Sequence, residues 1–166
     1  MECYISYPDG DGPFPGIIFY MDIPGIRDEL ITMSERIATE GYYCVLPDLY
    51  YRDGRVRFDL EKGDDEIRRM FAQGQKLTMP GVMNDTEAIL EHLKSSITST
   101  LPAGCIGYCM SGQYVVAAAG RFPEAIRAVA SLYGVRIVTD NPNSPHKQAK
   151  KIKAELYLGF AEKDPY

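Results

Sequence analysis

The chain has 166 residues, 45% of them apolar and 25% charged, with a formal net charge of −5. That length suits a single domain with a real core, and the acidic balance gives no overall attraction to nucleic acid or to an anionic membrane. No apolar run approaches the roughly 18 residues a spanning helix needs, the start Met1-Glu2-Cys3-Tyr4 lacks a signal-peptide pattern, and four cysteines without zinc-like spacing read as reduced thiols of a cytoplasmic protein.

Residues 2–7 read as a short strand closed by the turn Pro8-Asp9-Gly10-Asp11-Gly12. Residues 16–21 are a continuous apolar run of the kind buried in a parallel sheet, ending at Asp22-Ile23-Pro24-Gly25. Leu30, Met33, Ile37 and Ala38 then recur at helical spacing until Gly41, and 42–46 form the next buried strand. Strand, helix, strand implies a right-handed crossover in a parallel sheet. Residues 47–81 are less regular, with a short helix over 64–71 and a break at Pro80-Gly81. A second helix follows, capped by Asn84 or Asp85, with a buried stripe of Ala88, Ile89, Leu93 and Ile97. Leu101-Pro102 leads into another strand, a helix covers 113–119, a strand covers 128–133, and residues 134–150 are loop-like. A last strand spans 154–160. The expected architecture is one doubly wound α/β domain over residues 1–166.

The chemistry points to the stretch Gly107-Tyr108-Cys109-Met110-Ser111-Gly112. Strand, sharp turn and helix in that order form the context of a nucleophile elbow, whose apex side chain stands above the sheet. The apex backbone is strained, so its flanks must be small, and Gly107 and Ser111 lie two residues to either side of Cys109. A thiol at the apex indicates a cysteine hydrolase. Cys3, Cys44 and Cys105 fall in strand-like runs and read as small core hydrophobes. A core thiol opening a helix is the plainer alternative for Cys109.

This elbow resembles that of the dienelactone hydrolases, thiol members of the α/β-hydrolase superfamily. Tyr20 to Arg27, Gly41 to Tyr50 and Phe160 to Tyr166 resemble further segments of that family, in the same order. The resemblance implies a mainly parallel α/β-hydrolase sheet that cleaves an ester or lactone of a small molecule through an acyl-thioester, without metal or organic cofactor. It implies Cys109 as nucleophile, Asp164 as the acid that orients a histidine, and the backbone N–H groups of Met110 and Ile23 as the oxyanion hole. Asp22 would be the acid that contacts the resting thiol and keeps it protonated. Two positions depart from the pattern: an aspartate at 22 is one methylene shorter than glutamate, and Ser111 replaces the usual glycine. On the residues alone, Asp22 could cap the next helix and Asp164 could be an ordinary loop aspartate. A thioesterase or other acyl hydrolase on the same scaffold, or a non-catalytic α/β binding module, are the alternative functions.

In a triad of this order the histidine comes last, and none follows Asp164. His92 falls on the polar side of a helix, and His146 lies in a loop before the last strand. The expectation is therefore a sheet incomplete at the C-terminus, lacking a helix and a histidine loop. A free cysteine has a pKa of about 8.5, so only about 3% is thiolate at pH 7. A helix N-terminus contributes roughly 0.3–1 kcal/mol, less than one pKa unit, so the chain alone is expected to be nearly inactive. An uncovered sheet could also favour self-association. Arg52, Arg55, Arg57, Arg68 and Arg69 could pair with a substrate carboxylate, although interleaved acids favour a solvated surface. Lys147, Lys150, Lys151 and Lys153 read as a solvated face without nucleic-acid character.

Overall fold

A computed structural model describes residues 1–163. Its elements are β1 (Cys3–Ser6), β2 (Phe14–Tyr20), α1 (Asp28–Thr39), β3 (Tyr43–Pro47), α2 (Asp64–Gln75), α3 (Met79–Ser95), β4 (Ser99–Tyr108), α4 (Gly112–Arg121), β5 (Ile126–Leu132) and β6 (Glu155–Gly159). The described strands form one six-stranded sheet in the order β1-β3-β2-β4-β5-β6. Only β1 runs antiparallel to its neighbour; the pairs β2–β3, β2–β4, β4–β5 and β5–β6 are parallel.

Parallel strands are joined by crossovers, so helices must cover both faces and the central strands carry apolar side chains on both sides. The alternation along β4 shows which helix lies where, because successive side chains point to opposite faces. Ile106 and Tyr108 share a shallow cleft with Met33 and Ile37 of α1. On the other face, a Cβ added at Gly16 would meet Leu93 of α3 and Ala103 of β4, and one added at Gly107 would meet Val115 of α4. Thus α1 covers one face and α3 with α4 the other. Ile18, Phe19, Cys44, Val45, Leu46 and Val115 are sealed in the core between these layers.

Several local expectations are corrected. Pro80-Gly81 does not break the chain ahead of a helix. It sits in the first turn of α3, where proline's missing N–H costs nothing, and the Thr78 hydroxyl accepts the Gly81 N–H at 3.2 Å as the cap. Neither Asn84 nor Asp85 caps anything: Asp85 is a buried mid-helix residue that accepts from Arg52 at 2.8 Å. Ile97 falls past the end of α3 and is 92% exposed, and Ala88 faces solvent, so neither is part of the buried stripe. The helix read over 64–71 continues to Gln75, and the loop-like 134–150 ends in a 3-10 helix over Pro145–Lys151 packed on α4.

Candidate active site

After β2 the chain moves to β3 on one side, and it later returns to lay β4 on the other. The C-terminal ends of β2 and β4 therefore flank the point where the strand order reverses, the usual ligand crevice of such a sheet. Tyr20 pairs with Gly107 there, so Asp22 and Ile23 leave β2 beside the point where Cys109 leaves β4.

Cys109 has φ = 50°, a left-handed conformation rarely adopted by a side chain of this kind. The neighbours make that turn possible by being small. A Cβ on Gly107 would lie 2.6 Å from the Ser111 carbonyl oxygen, and one on Gly112 would run into Gly134. Residues Cys109–Ser111 form one 3-10 turn that passes directly into α4, so the sharp bend is continuous with a helix start. Val135 N–H donates to the Cys109 carbonyl at 3.1 Å, tying the bend to the segment after β5.

Two hydroxyls fix the strand end opposite the thiol. Ser111, fully buried, donates to the Met21 carbonyl 90 positions away. Tyr50 donates to the Ile23 carbonyl at 2.7 Å, and its phenol is pushed well up, chiefly by burial. The carbonyls on both sides of Asp22 are therefore held. Arg27 holds its carboxylate by a two-pronged pair at 2.5 and 2.8 Å, and that aspartate in turn pushes the guanidinium pKa up. Asp22 does not cap α1, whose first turn has no side-chain cap. Burial pushes the Tyr133 phenol up first, Tyr108 next, and Asp22 and Cys109 add to it, while Arg27 opposes them.

Cys109 opens into a cavity of about 360 Å³, together with Ile23 and Met110. Sequence reasoning missed most of its wall. Phe71 and Gly74 come from the part of α2 at and beyond the expected helix end, and Leu77 and Met79 from its junction with α3. Val135 and Arg136 follow β5. Gly74 lets α2 lie close: a Cβ there would sit 3.0 Å from Ile23 and 3.5 Å from the Met110 sulfur. A glycine next to the last residue of α2, after the uncharged run Met70-Phe71-Ala72-Gln73, is the signal that was available.

The other expected residues are distributed elsewhere. Asp164 lies outside the described residues. His92 on α3 meets the Tyr43 hydroxyl at 3.1 Å, and His146 meets the Ser144 hydroxyl at 2.8 Å; neither lines the cavity. Cys44 and Cys105 are buried, their thiols pushed up by burial to about 12 for Cys44 and higher for Cys105. Cys3 is partly buried and shifted the same way. The five arginines are each engaged by a carboxylate, namely Asp85, Glu2, Asp48, Asp65 and Glu66 in turn. No group of three metal-ligating side chains occurs among the described residues. No described helix is long and apolar enough to cross a membrane.

The sequence pattern of the dienelactone hydrolase family matches residues 1–166. The chain belongs to the dienelactone hydrolase family. It is 27% identical over 168 residues to a Synechocystis protein named as a candidate carboxymethylenebutenolidase, covering 97% of this chain and 66% of that one. A Methylorubrum extorquens protein of the same name is 28% identical and is matched over 94% of this chain and 53% of its own length. The crystal structure of a candidate dienelactone hydrolase from Klebsiella pneumoniae superposes with a TM-score of 0.78 at 24% identity, covering 94% of this chain and 65% of that chain. At that identity the superposition shows the fold, the α/β-hydrolase sheet. This dienelactone hydrolase family chain spans about half to two thirds of the relatives it matches.

Proposed function

We propose that the chain carries the nucleophile and oxyanion hole of a cysteine-dependent hydrolase acting on esters or lactones. The observation that supports this most is Cys109, held at positive φ on the bend between β4 and α4 and open to a cavity shared with Ile23 and Met110. In this reading a base removes the thiol proton and the sulfur attacks the substrate carbonyl. The N–H groups of Met110 and Ile23 take the oxyanion that forms. Collapse breaks the C–O bond, the base returns its proton to the departing alkoxide, and an acyl-thioester remains for water to cleave. The base in this reading is a histidine from a segment outside residues 1–166, oriented by Asp164. His92 and His146 are unsuited because each already meets a hydroxyl away from the cavity. Asp22 belongs to the same reading as the acid that restrains the resting thiol, with Arg27 fixing its carboxylate. A reducing, cytoplasmic setting suits a thiol nucleophile.

The test is an activated ester such as p-nitrophenyl acetate, followed by intact mass and peptide mapping. We expect one acyl group on Cys109, slow release close to the uncatalysed rate, and no adduct there in Cys109→Ser. Acylation of Cys3 with none at Cys109 would overturn the assignment. Rapid turnover by residues 1–166 alone would overturn the external histidine.

A further inference from the structure

The wall of the Cys109 cavity carries information about what it admits. Ile23, Phe71, Leu77, Met79, Met110 and Val135 supply most of the lining. The polar side chains of the lining besides Cys109 are Gln75, exposed at the end of α2, Gln113, Tyr114 and Arg136. The Gln113 amide donates to the Met110 carbonyl at 3.0 Å, and burial pushes the Tyr114 phenol up to about 12, marking an environment that disfavours charge. Among the described residues the lining includes no carboxylate. Its one charged member, Arg136, is exposed and also borders the neighbouring surface cleft with Thr139 and Asn141, which puts it at the rim. The volume of about 360 Å³ lies at the small end of ligand cavities.

From this geometry we propose that the site selects esters whose acyl or aryl group is neutral and apolar, with roughly six to ten heavy atoms in the cavity. This rests on the cysteine reading above and adds the substrate class to it. A charged or strongly polar group entering between Phe71, Leu77 and Met79 would lose its hydration without gaining partners. A methylene entering the same space leaves water for an apolar wall, which favours binding by about two- to fourfold per carbon.

The proposal is testable without turnover. A thiol adds across the double bond of an N-alkylmaleimide, forming a carbon–sulfur bond while its proton ends on the adjacent carbon. Reagents with methyl to octyl chains share one reactive group, so differences between them report on binding beside the sulfur. Labelling of Cys109 should quicken about two- to fourfold per methylene up to roughly six carbons and then level off, while Cys3, on the far strand β1, stays flat as an internal reference. Phe71→Ser, at a side chain already 39% exposed and therefore tolerant of change, should lower the slope at Cys109. Leu77→Glu should abolish it.

Equal rates at Cys109 for every chain length would overturn the apolar cavity and leave the nucleophile assignment standing. A slope that survives both substitutions would overturn the named wall. Labelling of Cys3 with none of Cys109 would overturn the nucleophile assignment together with this proposal.

Discussion

Strands β3 and β6 are each five residues long and similar in composition, Tyr-Cys-Val-Leu-Pro against Glu-Leu-Tyr-Leu-Gly, yet they lie in opposite environments. All five residues of β3 are buried, whereas four of the five in β6 are exposed. The difference comes from neighbours. Strand β3 sits between β1 and β2 with α1 across it, while β6 is hydrogen-bonded to β5 alone among the described strands. An apolar run therefore identifies a strand without saying whether anything covers it. A like-for-like substitution should separate the two most strongly. Val45→Asp would leave an unpaired carboxylate in the core, a loss of about 4–5 kcal/mol or more, comparable to the whole stability of a small domain. Tyr157→Asp, at 65% exposure, should stay within about 1 kcal/mol. Urea unfolding followed by circular dichroism measures both, and similar losses would mean that β6 is covered in solution.

The same contrast between satisfied and unsatisfied burial can be sharpened at two serines near the elbow. Ser111 and Ser131 are both sealed from water. Ser111 donates to the Met21 carbonyl, whereas the Ser131 hydroxyl has no hydrogen-bond partner among the described residues and is wedged against Gly112 and Gly134. Removing a partner from a buried carbonyl costs its desolvation, so Ser111→Ala should lose about 1–3 kcal/mol. Removing a hydroxyl that satisfies nothing should be neutral or stabilising by up to about 1 kcal/mol for Ser131→Ala. Denaturation midpoints with unchanged slopes would check this pair. Equal losses would imply a partner for Ser131 outside residues 1–163.

These serines also mark where reading the sequence stops. The order of strands and helices was legible because buried parallel strands are continuous apolar runs, and the bend at Cys109 was legible because its small neighbours are close in sequence. The bonds that fix the opposite lip were not: Ser111 reaches Met21 across 90 positions and Tyr50 reaches Ile23 across 27, and no local spacing rule encodes either. The cavity wall was missed for a related reason. Phe71, Leu77 and Met79 straddle the junction of two helices, so no single helical period gathers them. The start of α3 is ambiguous in sequence because Pro80-Gly81 suits either a break or a first helical turn, where proline is equally at home.

The contrast between covered and uncovered extends, with the smallest effect, to the ion pairs of the irregular region. Asp85 meets Arg52 with its side chain 7% exposed, whereas Glu66 meets Arg69 with its own 15% exposed, a smaller step from covered to open because both arginines are half exposed. Arg69 lowers the Glu66 carboxyl from 4.5 to about 2, helped by the Asp59 N–H that it accepts at 3.1 Å. A carboxyl depressed in the folded state holds its proton more weakly there than in the unfolded chain. Its contribution is therefore complete above about pH 4.5 and drains away as the pH falls toward 2. Glu2 beside Arg55 and Asp53 beside Gln73 and Lys76 are lowered too and act in the same direction. Glu66→Gln should consequently change stability little near neutrality in high salt and flatten the loss of the urea midpoint between pH 4.5 and 2. Because the Arg69 side chain is half exposed, 0.5 M NaCl should shrink that difference in slope. Parallel acid profiles for the two proteins at low salt would show that Arg69 does not hold Glu66 in solution. The helix would then rest on its covered side, where Met70 and Gln73 are buried.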